Sequence, residues 1–124
     1  MADLRKRLLI IDDEPMLGQT LRFAFEGSCD VVVLGTGLEA LEYLQNDAKF
    51  DLILCDLMMP TFSGIQVYEA LARQQPELLE RFVFITGGAF TDHARDFLET
   101  YRGARLEKPF HVADVEAILK RTTS

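Results

Sequence analysis

The chain has 124 residues, 48% of them hydrophobic, a length and composition that suit one domain around one filled core. Its formal net charge of −7 disfavours nucleic acid as a direct partner, because affinity for a phosphate backbone rests on clustered Lys and Arg. No apolar run is long enough to span a bilayer and no charged leader followed by an apolar stretch opens the chain, so a cytoplasmic location without membrane contact is expected.

Arg5-Lys6-Arg7 reads as a short, solvated lead-in to the first strand. Leu8-Leu9-Ile10-Ile11 is a continuous apolar run, as a fully buried parallel strand requires, and it ends abruptly in Asp12-Asp13-Glu14. From Glu14 to about Glu26 the spacing of Leu17, Leu21, Ala24 and Phe25 predicts a helix, with Pro15 tolerated in its first turn. Asp30 to Leu34 is a Val-rich second strand. After Gly35-Thr36-Gly37, the residues Leu38, Leu41, Tyr43 and Leu44 mark a second helix.

Asp51 to Cys55 is a third strand closed by Asp56, and a loop with Pro60 and Gly64 follows it. Ile65, Tyr68, Leu71 and Ala72 then predict a helix that cannot pass Pro76. Phe82 to Ile85 is a fourth strand running into Thr86-Gly87-Gly88. A fourth helix is expected from Thr91, a suitable N-cap, through Ala94, Phe97 and Leu98 towards Gly103. A short fifth strand, Ala104 to Leu106, precedes Lys108-Pro109, and the last helix carries Val112, Val115, Ile118 and Leu119 on one face. Cys29 and Cys55 lie in strand-like apolar surroundings without CxxC spacing or a nearby His, and are expected as buried free thiols.

Strict alternation of strand and helix points to a parallel sheet covered on both faces, since right-handed crossovers place helices over the sheet. The predicted fold is a doubly wound, flavodoxin-like (βα)5 sheet of strand order 2-1-3-4-5, filling residues 1–124 as one domain. In such sheets ligands bind outside the carboxyl ends of the strands, where the strand order reverses, here between the first and third strands. Asp12, Asp13 and Asp56 end those strands. Three carboxylates in one place repel each other and lose hydration, and a hard divalent cation such as Mg²⁺ (or Mn²⁺) relieves both costs. The bland alternative is an acidic first turn favoured by the helix dipole, and Asp56 on a separate strand weighs against it. Thr86 is expected to face the same site, with open space beside Gly87-Gly88 for a phosphoryl group, and Lys108 to supply a cation there.

Taken together, Leu9-Ile10-Ile11-Asp12-Asp13-Glu14, Asp56-Leu57-Met58-Met59-Pro60 with Gly64, Ile85-Thr86-Gly87 and Lys108-Pro109-Phe110 resemble the receiver domains of two-component response regulators. A finer likeness, in Phe82 to Phe90, Ala94 to Leu98 and Leu106 to Phe110, is to receivers attached to hybrid sensor histidine kinases. The resemblance implies that Asp56 takes a phosphoryl group from a phosphohistidine on a histidine kinase or histidine phosphotransfer domain. It implies that Asp12, Asp13, Asp56 and the Met58 carbonyl hold Mg²⁺, and that Thr86 and Lys108 bind phosphoryl oxygens. The implied output is switched binding of a downstream protein partner, through the face formed by the fourth helix, fifth strand and fifth helix. No turnover of an independent substrate is implied, only self-phosphorylation and autodephosphorylation, although a parent hybrid chain would be a histidine kinase.

One departure stands out. The family's aromatic residue three positions before the lysine is Arg105 here, so either Phe90 is expected to take over part of the reporting role or Arg105 itself is the recognition element. Competing readings are a pseudo-receiver that binds partners without phosphorylation, an aspartate-nucleophile phosphohydrolase and a flavodoxin-like electron carrier. The second would carry a DxDx[TV] pattern after the first strand. The third would need hydroxyls and backbone N–H groups where three carboxylates stand.

Overall fold

A computed structural model describes residues 5–88 and 91–122. Phe90 lies outside the described residues. The strands are β1 (Lys6–Ile11), β2 (Cys29–Leu34), β3 (Leu52–Asp56), β4 (Phe82–Thr86) and β5 (Ala104–Glu107). The helices are α1 (Pro15–Phe25), α2 (Gly37–Asn46), α3 (Gly64–Gln74), α4 (Asp92–Thr100) and α5 (Val112–Thr122), with a 3-10 helix over Pro76–Arg81. All strand pairs are parallel and the order is β2-β1-β3-β4-β5, as expected from the alternation.

The central strands carry continuous apolar runs, Leu8–Ile11, Leu52–Cys55 and Phe82–Ile85, because both faces of the sheet are covered. Leu8, Ile10, Leu52, Leu54, Val83 and Ile85 pack under α1 and α5, through Leu21, Phe25, Val115, Ile118 and Leu119. Leu9, Ile11, Ile53, Cys55, Phe82 and Phe84 pack on the other face under α2, α3 and α4, through Ala40, Leu44, Ile65, Val67, Leu71 and Leu98. Cys29 and Cys55 are buried free thiols.

Helix starts follow local chemistry. Thr36 accepts the Glu39 N–H at 3.1 Å, Ser63 and Gln66 form a reciprocal capping box, and Thr91 accepts the Ala94 N–H at 3.1 Å. Several residues assigned to buried faces lie in solvent instead: Ala24 and Ala72 are exposed, as are Leu38 at 56% and Val112 at 38%. The inward positions belong to smaller neighbours, Gly18 on α1 and Ala40 on α2, which let those helices lie close to their neighbours. A Cβ on Gly18 would stand 2.5 Å from Val33 Cγ1. The 3-10 helix is absent from the sequence reading. Pro76 stops α3 and, with no N–H to satisfy, opens this next turn, burying Leu78.

The basic lead-in is not merely solvated. Arg5 pairs with Asp30 at 3.0 Å and donates to the carbonyls of Glu26 and Cys29. Arg7 pairs with Asp47 at 2.9 Å, donates to the Lys49 carbonyl and lies 4.4 Å from the Phe50 ring centroid. These forked contacts tie the N-terminal edge of the sheet to the segments after α1 and α2. At the β4–β5 side, Tyr68, Phe82, Phe84, Phe97 and Tyr101 form one ring cluster with centroid spacings of 5.0–5.7 Å. The Tyr101 hydroxyl donates to the Ala104 carbonyl at 3.0 Å and is 3.3 Å from the Phe82 carbonyl.

Candidate functional site

The site is assembled at the carboxyl edge of the sheet. β1 ends at Ile11, so Asp12 emerges into the loop with its side chain still buried, while Asp13 is exposed. β3 ends at Asp56, which is 7% exposed. The two central strands pair in register up to Ile11 and Cys55, which sets Asp12 and Asp56 side by side. One carboxylate oxygen from each of Asp12, Asp13 and Asp56 lies within 4.8 Å of the others.

Asp12 Oδ1 accepts the Glu14 N–H at 2.8 Å. Among the described residues its Oδ2 is buried without a hydrogen-bond partner. Asp56 Oδ1 accepts the Met58 N–H at 3.3 Å. Lys108 Nζ lies 3.7 Å from Asp12 Oδ2, 3.9 Å from Asp56 Oδ2 and 4.0 Å from Glu14 Oε2, so one cation is shared by three carboxylates. The Lys108 N–H donates to the Thr86 carbonyl at 2.8 Å, which holds the lysine to β4, and the Lys108–Pro109 peptide is cis.

This balance leaves the carboxylates under-compensated. Desolvation raises the Asp12 pKa, and the Glu14 N–H and Lys108 only partly oppose it. Desolvation, then repulsion from Asp12, lifts Asp56 to about 6 against the pull of Lys108. Burial also pushes the Cys55 thiol well above its ordinary value, so it stays neutral beneath the site. An orphaned, buried carboxylate oxygen beside two further acidic oxygens suits a hard oxygen-seeking cation, and the donor set has the composition Mg²⁺ takes.

Thr86 ends β4 and is 2% exposed, and its hydroxyl donates to the Leu106 carbonyl on β5, 3.5 Å away. A buried hydroxyl needs an acceptor, and β5 offers one. Met58 is partly exposed and joins the site through its backbone. Arg105 is exposed on β5 opposite Phe84, while the rings 5.0 Å from Phe84 belong to Phe82 and Tyr101. The sequence reading missed Tyr101 and the Glu14 contact with Lys108. Glu14 was legible as the third acid of its run. Tyr101 was not, because it reaches the sheet from the end of α4.

Chains of known kind are similar to this one. A family model described as the response regulator receiver domain matches residues 8–120. The transcriptional regulatory protein BtsR of Salmonella typhi is 32% identical over 114 residues, covering 85% of this chain and 46% of its own length. The transcriptional activator protein PfeR of Pseudomonas aeruginosa is 36% identical over 116 residues, covering 90% of this chain and 35% of its own length. The chain therefore spans less than half the length of these relatives. Among solved structures, a Francisella response regulator receiver domain superposes with a TM-score of 0.74 at 26% identity, covering 96% of this chain and 100% of that one. A receiver domain protein from Clostridium thermocellum shares the fold at 23% identity, with a TM-score of 0.80 over 94% of this chain and 93% of that one. The strand order, the acidic edge and these matches agree, and the chain belongs to the response regulator receiver domains of two-component systems.

Proposed function

We propose that this receiver domain accepts a phosphoryl group on Asp56 in a reaction that needs a divalent cation. The observation that carries the reading is the meeting of Asp12, Asp13 and Asp56 oxygens within 4.8 Å, with Asp12 Oδ2 buried and without a hydrogen-bond partner among the described residues. Asp12, Asp13, Asp56 and the Met58 carbonyl would hold Mg²⁺ (or Mn²⁺). When bound, the metal supplies charge neutralisation for the phosphoryl oxygens and for the crowded carboxylates.

The remaining work falls to the protein. An Asp56 carboxylate oxygen attacks phosphorus in line, the phosphorus–nitrogen bond of the donor phosphohistidine breaks, and the leaving imidazole nitrogen keeps the electron pair and takes a proton. Lys108 then follows the new negative charge, leaving Asp12 and Glu14. Thr86 exchanges the Leu106 carbonyl for a phosphoryl oxygen, which pulls on the β4–β5 edge and alters the surface seen by a downstream protein partner. Attack of water on phosphorus releases phosphate and restores the carboxylate. The donor is a histidine kinase or a histidine phosphotransfer domain. The cleft lined by Glu14, Leu17, Lys108, Pro109 and Phe110 gives it an apolar approach beside the acceptor.

Intact-mass spectrometry after incubation with acetyl phosphate, with and without Mg²⁺, tests the reading on wild type and Asp56→Asn. A Mg²⁺-dependent gain of one phosphoryl group, lost in the variant, is the expected result. No adduct, together with no binding of beryllofluoride, would establish instead a pseudo-receiver that acts by binding alone.

A further inference from the structure

Gly64 opens α3 against the peptide that joins Asp56 to Leu57. A Cβ at Gly64 would stand 2.2 Å from the Asp56 carbonyl oxygen, 2.9 Å from Leu57 Cα and 3.0 Å from the Asp56 carbonyl carbon. All three are backbone atoms, so no change of rotamer opens the space. The contact is held in place from both sides: the Gly64 N–H donates to the Leu57 carbonyl at 3.0 Å, and the Leu57 N–H donates to the Ile85 carbonyl on β4 at 2.9 Å.

The intervening loop has little slack. The Phe62 N–H turns back to the Pro60 carbonyl at 2.7 Å, and Thr61 sits at φ 68°, a left-handed conformation that costs a β-branched residue energy. Ser63 and Gln66 then lock the first turn of α3 through their capping box.

We infer that Gly64 is a positioning residue for the phosphoacceptor: the absence of its side chain fixes where the Asp56 carboxylate and the Met58 backbone stand relative to Asp12 and Asp13. The inference rests on the metal-assisted reading above. A side chain at position 64 would push the 56–57 peptide by most of an ångström, and a misplacement of about that size costs on the order of a hundredfold in an oriented transfer. Helix propensity would favour Ala over Gly here, so the glycine is kept against the local preference of α3.

The test compares wild type, Gly64→Ala and Gly103→Ala. In the last, a Cβ would meet the Tyr101 hydroxyl at 2.3 Å, a clash with a side chain rather than with backbone, at the opposite edge of the sheet. In metal-free protein, Gly64→Ala should move the amide resonances of Leu57 and Met58. In Mg²⁺ calorimetry it should bind at least about tenfold more weakly, a loss of about 1.4 kcal/mol, with its far-ultraviolet circular dichroism retained. Gly103→Ala should melt at a lower temperature and bind Mg²⁺ as wild type does. Wild-type amide positions and wild-type Mg²⁺ affinity in Gly64→Ala would overturn the inference. A wild type that binds no Mg²⁺ would overturn the metal reading instead, while the metal-free resonances still decide whether Gly64 positions Asp56. Should Gly64→Ala fail to fold, Ser63→Ala loosens the same helix start without adding an atom near the peptide. It should weaken Mg²⁺ binding several-fold, and unchanged affinity would overturn the inference.

Discussion

Replacing Asp56 by Asn keeps the shape and the acceptor for the Met58 N–H but removes one of three crowded charges. In the folded chain the Asp56 pKa rises from 3.8 to about 6, chiefly by desolvation and then by repulsion from Asp12. A carboxyl that holds its proton more tightly when folded adds most to stability at low pH. That contribution is lost as pH rises from the unfolded value through about 6. A shift of that size corresponds to about 3 kcal/mol, and the Asp56 side chain is only 10% exposed, so solvent screening takes little of it. Urea denaturation in EDTA at pH 8 should therefore find Asp56→Asn more stable than wild type by about 1–3 kcal/mol, the lower end allowing for the lost contact with Lys108. The difference should roughly halve by pH 5 and vanish below the unfolded pKa. Mg²⁺ at a hundredfold excess over its dissociation constant should stabilise wild type by about 2.7 kcal/mol and the variant far less. A variant no more stable than wild type at pH 8, or a difference that ignores pH, would refute the electrostatic account of the site.

Two further outcomes follow from the same geometry. Lys108→Met removes the cation that lies 3.7 Å and 3.9 Å from Asp12 and Asp56, so the Asp56 carboxyl should titrate higher still by carbon-13 NMR and stability at pH 8 should fall by about 1–3 kcal/mol. Tyr101→Phe keeps the ring cluster but frees the Ala104 and Phe82 carbonyls, which should cost about 1 kcal/mol by urea denaturation with the aromatic packing otherwise intact.

The features legible in the sequence were those carried by short-range pattern. Continuous apolar runs became strands buried on both faces, and Thr91 capped α4 where a hydroxyl precedes a helical run. Strand order followed from alternation, and with it the meeting of Asp12 and Asp56, because parallel crossovers allow few arrangements. What failed did so where periodicity competes with fit. Leu38 and Val112 satisfy a helical repeat yet face solvent, since the places against the sheet go to whichever side chains the crossing geometry admits.

By itself the sequence determined which residues form the acidic edge and which strands deliver them, since both depend on residue type and chain order. Only the tertiary structure decided that Arg5 and Arg7 clamp the far edge, that Tyr101 reaches the β4–β5 seam and that the Thr86 hydroxyl rests on Leu106. It also decided that Lys108 divides its charge among three acids and that Gly64 meets the Asp56 backbone. These are contacts between segments distant in sequence, set by distances of a few tenths of an ångström that no local pattern encodes.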